Sequence, residues 1–388
     1  MDPAKPSPEL LRGLTDEHVL SALMRRRLMT RAELAAETGL SKPTTGESVR
    51  RLVQLGLVVD TGERSAGGRG RGRVGSYYAL AADVGAALAV CIAPEGIVVE
   101  GVDAYGETLV RAEEKIDRPA GPEAVAAAVV AAAERARGRV GGSIRLVVVS
   151  AAGPVDRSTG RLVHVADEPF LIGELDPTEI LAPYASGPVV VDNDVNWAAR
   201  AERDHRDDHG APRLRDFAYV FLGEGLGCAI VSDGQVMKGH TGMAGEISHV
   251  VTSGRDGRAT PLIDVFEQLD LRQPGSTAID VDRLVAAVTD EQGGAAVRRT
   301  LGQALGGTLA AIAALADPET VVVGGPWGMH PVVLETINAS AGDLPRRLEV
   351  RAAQLTVEPS LTGARAAALG CLRKAIVAAA TSASSTAL

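Results

Sequence analysis

Small polar and basic side chains recur on one face of a helix that the sequence predicts to begin after Ser41. Hydroxyl, ammonium and guanidinium groups can hydrogen-bond to phosphates and to base edges in a DNA major groove. Lys42, Thr44 and Thr45 are the candidates for base readout. Taken alone, the same pattern also fits an ordinary helical hairpin. The candidate DNA-binding residues of this helix are Ser41, Lys42, Thr44, Thr45, Ser48 and Arg51.

A run of alternating glycine and arginine, GGRGRGR, occupies residues 67–73. Glycine adds no apolar area and arginine must stay solvated, so this run does not predict a packed core. It predicts a flexible basic tip that lies along phosphates or enters a narrow A·T-rich minor groove. Arg69, Arg71 and Arg73 are therefore candidates for minor-groove and phosphate contacts.

Local capping signals define the helices that would position these residues. Thr30 and Glu33 have the spacing of a capping box, and Gly39 is placed to end the first helix. Ser41 is placed to cap the second helix, and Gly56 to end it. Short predicted strands lie on both sides of the Gly–Arg run. Together these elements predict a winged helix-turn-helix, which is more specific than either part alone.

Charge sets this segment apart from the rest of the chain. The 388 residues carry a net charge of −9. Residues 1–80 hold 13 lysines and arginines against 9 acidic residues, a net charge of +4, so the remainder carries −13. A basic head on an acidic body is what a DNA-binding domain joined to a separate regulatory domain needs.

Composition limits the class of protein. Apolar residues make up 46% of the chain and aromatic residues only 3%, which predicts aliphatic cores. Cys91, Cys228 and Cys371 are far apart in apolar contexts, which favours free thiols in a reducing compartment. The first residues do not resemble a signal peptide, and the longest apolar run is too short to span a bilayer. We therefore expect a soluble cytoplasmic protein.

From residue 77 onward the pattern predicts two successive halves, each with strands followed by helices. This order indicates an α/β fold with a duplicated two-lobed body and a cleft between the lobes. The predicted domains are a disordered N-terminus at 1–12, a winged helix at 13–80, a first lobe at 81–200, a second lobe at 201–380 and a disordered tail at 381–388.

Five motifs of the body occur together: GPVD from Gly153, VVVDNDVNWAARAE from Val189, LGEGLG from Leu222, GHTGMAGEISH from Gly239 and DPETVVVGG from Asp317. On these motifs the chain resembles the ROK family of repressors, open reading frames and sugar kinases, whose members have the actin-like ATPase fold. The winged helix in front resembles the transcriptional repressor branch. The resemblance extends from about Leu14 to about Ala380.

The resemblance implies a sugar site. Asp194 is at the position that accepts a proton from the sugar hydroxyl in the family's kinases, although an aspartate there could equally be a helix N-cap. Asn193, Glu246 and His249 match positions that hold sugar hydroxyls, and Asp264 corresponds to a later acidic residue of the same site. Carboxylates and an amide suit a polyol, because each unpaired buried hydroxyl is costly.

The chain departs from the kinase pattern in both phosphate loops, in the zinc motif and in the sugar loop, where VHVADEPFLIG from Val163 lacks the family's asparagine. The family's DxGGTK phosphate loop corresponds to DVGAAL at Asp83–Leu88, and its LGTGIG loop to LGEGLG, where Glu224 replaces a hydroxyl. A carboxylate near a triphosphate opposes ATP binding. The cysteine-rich zinc motif does not follow His249, and a closed zinc site needs thiolates. The sequence therefore predicts neither an enzyme, nor catalytic or metal-binding residues, nor a cofactor.

Three functions fit these observations. The first is a transcriptional regulator, most simply a repressor, that binds a pseudo-palindromic double-stranded operator as a homodimer or a dimer of dimers and senses a carbohydrate effector. The second keeps the DNA-binding head but makes the body a ligand-free dimerisation module. The third is an active sugar kinase with a DNA-binding head.

Overall fold

The protein is described as a computed structural model. The structure describes residues 8–65, 75–165, 169–171, 173–205 and 214–386. In this part of the chain, none of the helices combines the length and the apolar character that crossing a bilayer requires.

A winged helix-turn-helix forms the N-terminal part. A three-stranded antiparallel sheet in the order β1-β3-β2 supports its three helices. The elements are α1 (Pro8–Arg26), β1 (Met29–Thr30), α2 (Arg31–Thr38), α3 (Lys42–Gln54), β2 (Val58–Arg64) and β3 (Ser76–Leu80).

The predicted capping residues fix both helices of the turn. Thr30 and Glu33 form the capping box, and Gly39 ends α2 in the left-handed region with φ of 72°. The hydroxyl of Ser41 accepts the backbone N–H of Thr44 at the start of α3. Gly56 has φ of 69° just after the end of α3. These local signals are confirmed because each depends on residues close in sequence.

The first lobe of the body, lobe I, is built on a five-stranded sheet in the order β6-β5-β4-β7-β8. Only β4–β5 and β5–β6 are antiparallel. Its strands are β4 (Ala86–Ala93), β5 (Gly96–Val102), β6 (Thr108–Glu114), β7 (Ile144–Ala151) and β8 (Val189–Asn193). Its helices are α4 (Pro122–Val140), α5 (Pro177–Leu181) and α6 (Asp194–Asp204).

The second lobe, lobe II, repeats the arrangement with a sheet in the order β11-β10-β9-β14-β15. Its strands are β9 (Phe217–Leu222), β10 (Leu226–Ser232), β11 (Gln235–Val236), β14 (Thr320–Gly324) and β15 (Glu349–Ala352), with a separate pair β12 (Val251–Ser253) and β13 (Ala259–Pro261). Its helices are α7 (Leu262–Gln268), α8 (Val281–Thr289), α9 (Gly294–Ala316) and α10 (Pro331–Gly342).

The two large sheets have the same connectivity. In each, the first three strands form an antiparallel meander, and the fourth and fifth strands extend the sheet in parallel from the first strand. The predicted duplicated α/β body is confirmed, and its topology is that of the actin-like fold. Loops at the same place in the two sheets are therefore related by the repeat.

The last helix, α11 (Pro359–Thr386), returns to lobe I although it follows lobe II in sequence. Leu361, Ala364 and Leu372 share a core with Ala87 and Leu146 of the lobe I sheet. At Gly363 the helix passes so close to α6 that a Cβ would lie 2.1 Å from the carbonyl oxygen of Trp197. The expected division at residues 200 and 201 therefore misplaces this helix.

The described parts of the two segments expected to be disordered, 1–12 and 381–388, are helical at residues 8–12 and 381–386. Helix α1 begins at Pro8, and α11 continues to Thr386. The two helices pack together, with Gly13 beside the side chain of Thr381 and Ala380 buried. The contact between these two helices joins segments far apart in sequence, so neither local sequence can reveal it.

One hydrophobic core joins the winged helix-turn-helix to lobe I. Buried residues of α1, including Val19 and Leu23, belong to the same cluster as Ala87 of β4 and Leu372 of α11. Arg27 adds a surface contact, since it forms an ion pair with Glu107 and lies 4.9 Å over the ring of Tyr105 in the β5–β6 turn.

Candidate nucleic-acid interface and interlobe cleft

The N-terminal end of α3 presents three of the predicted DNA-binding residues. Ser41 and Lys42 are exposed and Thr44 is half-buried. The Ser41 hydroxyl lies 2.8 Å from that of Thr44. This end of the helix offers backbone N–H groups, hydroxyls and an ammonium group, all of which suit phosphates and base edges.

The other three predicted residues of this helix point inward, and this corrects the sequence analysis. Thr45 and Ser48 are fully buried. The Ser48 hydroxyl donates to Oδ1 of Asp16, and Arg51 holds both oxygens of Asp16, with Nη2 at 2.7 Å from Oδ1 and Nε at 3.2 Å from Oδ2. Ser48 and Arg51 therefore fasten α3 to α1. They are polar but lie on the buried side of the helix.

The exposed side of α3 carries residues that the sequence analysis missed. The Arg50 side chain is 65% exposed, and its ion pair with Glu47 is long, at 3.5 Å between surface groups. Gln54 is exposed one turn later. Such a pair holds its partners weakly, so Arg50 can exchange Glu47 for DNA. The spacing of 47, 50 and 54 could have indicated one helical face, opposite Val49 and Leu52.

The structure describes the base of the wing, which consists of β2, β3 and the residues next to them up to 65 and from 75. Strands β2 and β3 pair as predicted, and β2 is exposed after Val58. Arg64 pairs with Asp60 at 3.2 Å on this surface. The predicted contact residues Arg69, Arg71 and Arg73 lie outside the described residues, so their role stays a prediction.

A cavity of about 990 Å³ lies between the two lobes. The β4–β5 turn, the start of α6 and the start of α11 line it from one side. The β9–β10 turn and the segment 242–246 line it from the other. Both lobes thus contribute to one cleft, which is where a duplicated α/β body binds small molecules.

Three of the predicted effector-binding residues meet at this cleft. Asn193, Asp194 and Glu246 all line the cavity. Asn193 caps α6, because its Oδ1 accepts the N–H of Val195 at 2.9 Å, and its Nδ2 donates to the carbonyl of Gly153 at 2.9 Å. The amide of Asn193 therefore fixes the helix, whereas Asp194 and Glu246 bring carboxylates to the cleft.

His249 and Asp264 do not belong to the cavity, which corrects the prediction for both. His249 is exposed at the end of the 3-10 turn Ile247–His249. Asp264 lies in the first turn of α7, where its Oδ1 is 2.9 Å from Nη2 of Arg272. Neither is among the cavity-lining residues in the described part of the chain. Motif position alone did not reveal that Asp264 has an arginine partner.

The loop expected at Asp83–Leu88 is also misplaced. This segment leads from the winged helix into β4, and Gly85 packs against the side chain of Arg145. The turn that reaches the cavity in lobe I is the β4–β5 hairpin, where Ala93 pairs with Gly96. The internal repeat makes it the counterpart of the β9–β10 turn, where Leu222 pairs with Leu226.

Each of these related turns carries a glutamate that lines the cleft. Glu95 is in the lobe I turn and Glu224 in the lobe II turn. Glu224 forms an ion pair with Arg118, which lies between β6 and α4 in lobe I. This contact therefore spans the cleft and links the two lobes.

A second polar contact between the lobes lies behind the cleft. Asp192 is buried and binds Arg200 of α6 at 2.7 Å and Lys238 of lobe II at 2.9 Å. Burial alone would raise the pKa of Asp192, but the charges of Arg200 and Lys238 hold it below its usual value. Asp192 is therefore a charged anchor between the lobes.

Replacing Glu224 by glutamine is expected to loosen the cleft with little loss of stability. Both partners of the Arg118–Glu224 pair are partly exposed, so its removal should cost about 1 kcal/mol or less. We expect a larger radius of gyration in small-angle X-ray scattering. Arg135→Gln, which removes an ion pair to Glu114 within lobe I, is the matched control. Equal scattering from both variants would contradict a bridging role.

The geometry defines a class of protein: a winged helix-turn-helix fused to a two-lobed, actin-like body with a cleft. Comparisons with known proteins agree. The ROK family matches residues 88–261, and the MarR family matches residues 16–70. Residues 88–261 of the two-lobed body thus resemble the ROK family, and residues 16–70 resemble the MarR family.

Relatives of two kinds share this body. A glucokinase of Streptomyces coelicolor is 32% identical over 168 residues, covering 43% of this chain and 50% of its own length. The chain spans half or less of the other enzymes of this kind that it matches. The transcriptional regulator Mb0495 of Mycobacterium bovis is 27% identical over 401 residues, covering 92% of this chain and 87% of its own length.

The solved structures support the fold along almost the whole chain. A ROK family transcriptional regulator, described as a homolog of the Escherichia coli MLC protein, covers 95% of this chain and 99% of its own, with a TM-score of 0.63 and 17% identity. At this identity the likeness concerns the fold alone.

Proposed function

We propose that the protein is a cytoplasmic transcriptional repressor that binds double-stranded operator DNA through α3 and the wing. The exposed surface of α3 carries the proposal, because Lys42 is exposed at the capped N-terminus of the helix and Arg50 is exposed about two turns later. A homodimer or a dimer of dimers would place two such helices on a pseudo-palindromic site. Selection of bound genomic fragments by the full chain tests this, and failure to enrich any sequence would refute it.

A carbohydrate effector in the interlobe cleft is the second part of the proposal. Asp194 and Glu246 supply acceptors for hydroxyl groups, and both lobes line the cavity. A ligand that binds one degree of closure better than another would shift the position of the winged helix-turn-helix relative to its partner copy. Unchanged operator affinity at saturating ligand would contradict this coupling. A body that only dimerises would bind no sugar at all.

We propose further that the body does not transfer phosphate. Glu224 and Glu95 lie in the two turns that the internal repeat relates, and both face the cleft. Like charges oppose the approach of a triphosphate. Transfer of phosphate from ATP to a hexose, dependent on Asp194, would instead support a kinase.

The sequence analysis made Lys42 a candidate for base readout, but its place at the N-terminus of α3 favours a phosphate contact, so changing Lys42 to alanine is expected to weaken binding to all DNA sequences by a similar factor. An exposed ammonium group at a helix N-terminus suits a phosphate, and loss of one phosphate contact lowers the slope of log K against log salt by about 1. Fluorescence anisotropy over a salt series measures this slope. Lys374→Ala, an equal charge change on the exposed side of α11, is the control. A sequence-dependent loss would assign Lys42 to base readout.

A further inference from the structure

The interlobe cavity has a strong excess of negative charge. In the described part of the chain nine carboxylates line it, against two lining cations, Arg111 and Lys115, and two of the nine pair with Arg118 and Arg135 outside the lining. The carboxylates come from both lobes, so the excess does not belong to one loop. A cleft of this composition distinguishes ligands by charge as well as by shape.

Arg111, one of these two cations, is already paired with carboxylates. Arg111 contacts Glu100 at 3.0 Å, Glu113 at 2.6 Å and Glu358 at 2.6 Å. These hydrogen bonds, above all those to Glu358, raise the pKa of Arg111. With three carboxylates around it, this guanidinium is not available to bind a phosphate group. Lys115 is exposed at the edge.

The negative charges act on the interior of the cleft. Burial, with smaller contributions from the charges of Asp194, Glu95 and Glu358, raises the pKa of the Cys91 thiol to about 12, while a hydrogen bond with Ser360 opposes the rise. Burial likewise raises the pKa of Cys228 to about 12, with a contribution from Glu246. The thiols of Cys91 in lobe I and Cys228 in lobe II thus both lie in a negative electrostatic potential.

The two repeat-related turns indicate where a cation would bind. Glu95 is exposed to the cavity in the β4–β5 turn, and Glu224 occupies the corresponding β9–β10 turn. Glu224 already accepts a cationic side chain, since the guanidinium of Arg118 reaches it from the other lobe. A positively charged ligand group finds the same acceptors, whereas a phosphate finds carboxylates on both sides.

We propose that the cleft binds a polyhydroxylated ligand carrying a protonated amine, such as an amino sugar, with the amine facing the turns of Glu95 and Glu224. Phosphorylated sugars and nucleotides are rejected by charge. This assignment rests on the proposed effector function and specifies its ligand class. Asp194 and Glu246 accept the hydroxyl groups, and the two turn carboxylates select the amine.

Isothermal titration of the full chain with matched hexoses tests the assignment. The probes are glucose, galactose and mannose, each as the free sugar, the 2-amino sugar and the 6-phosphate. For whichever of the three hexoses binds, the amino sugar should bind at least about tenfold more tightly than the free sugar. The 6-phosphate of the same hexose should bind at least about tenfold more weakly than the free sugar. The preference should shrink as ionic strength rises.

Two sets of variants test whether the carboxylates of Glu95 and Glu224 cause the preference for the amino sugar. Glu95→Gln combined with Glu224→Gln should remove most of the preference for the amine, while Glu319→Gln, an exposed lobe II residue outside the cavity lining, should leave it unchanged. A 6-phosphate that binds as tightly as the free sugar would overturn the proposal, as would an undiminished amine preference in the double variant. If no probe binds although operator binding persists, the ligand assignment fails and the DNA-binding function stands.

Discussion

An Arg50→Ala variant is expected to bind operator DNA about tenfold to a hundredfold more weakly than the native chain. Arg50 is a basic side chain on the outer face of α3 that is 65% exposed, and its pairing with Glu47 is weak. A guanidinium that makes two hydrogen bonds to guanine contributes about 1–3 kcal/mol of discrimination. Specific binding should therefore fall much more than binding to unrelated DNA.

Fluorescence anisotropy at fixed salt, with operator and scrambled duplexes, measures this difference. Arg258→Ala removes an equally charged, 85% exposed side chain from lobe II and serves as the matched control. Arg50→Lys keeps the charge but not the planar fork, so it should retain binding to scrambled DNA and lose preference for the operator. Native operator affinity in Arg50→Ala would remove this residue from the interface.

The second large effect is expected from Asp16→Ala, which should destabilise the winged helix-turn-helix by about 2–4 kcal/mol. Asp16 is 1% exposed and receives hydrogen bonds from Ser48 and Arg51. Its removal leaves a buried hydroxyl and a largely buried guanidinium without their partner. The loss should be larger than the hydrogen bonds alone would suggest, because an uncompensated buried charge is costly.

Urea unfolding followed by circular dichroism measures the change in the free energy of unfolding. Asp60→Ala removes the carboxylate of an exposed ion pair with Arg64 in the same domain, and should cost less than about 1 kcal/mol. Asp16→Asn keeps one acceptor and should fall between the two. Similar losses in Asp16→Ala and Asp60→Ala would show that the buried cluster contributes little.

Features that depend on nearby residues could be predicted from the sequence. Thr30, Glu33, Gly39 and Ser41 cap their helices as expected, because a cap involves only residues three or four positions apart. The repeated strand order was also visible, since each half carries its own apolar pattern. The elements of the winged helix and of the two lobes therefore follow from local chemistry.

Side-chain orientation and long-range partners could not be predicted in the same way. Thr45 and Ser48 were assigned to the exposed face because they are polar, but the acceptor of Ser48 lies 32 residues away at Asp16. Asp264 likewise has its partner in Arg272. Residue type indicates what a side chain can bind, and only the fold determines which partner it meets.

The misplaced phosphate loop has a different cause. The match at Asp83 rested on an aspartate and a glycine, which recur by chance. The register of the hairpin decides which turn reaches the cavity, and Ala93 pairs with Gly96. Comparison of the two halves would have aligned Glu95 with Glu224, so the internal repeat contained the signal.

The shared core of α1, β4 and α11 limits how this protein can be re-engineered. A transplanted winged helix-turn-helix would arrive without the surface that fits Leu372 and Ala380 of α11. A functional chimera therefore needs the α11 contact face exchanged together with residues 8–80. The unit that would have to be transplanted is therefore discontinuous in sequence, because it consists of residues 8–80 and part of α11 at the other end of the chain.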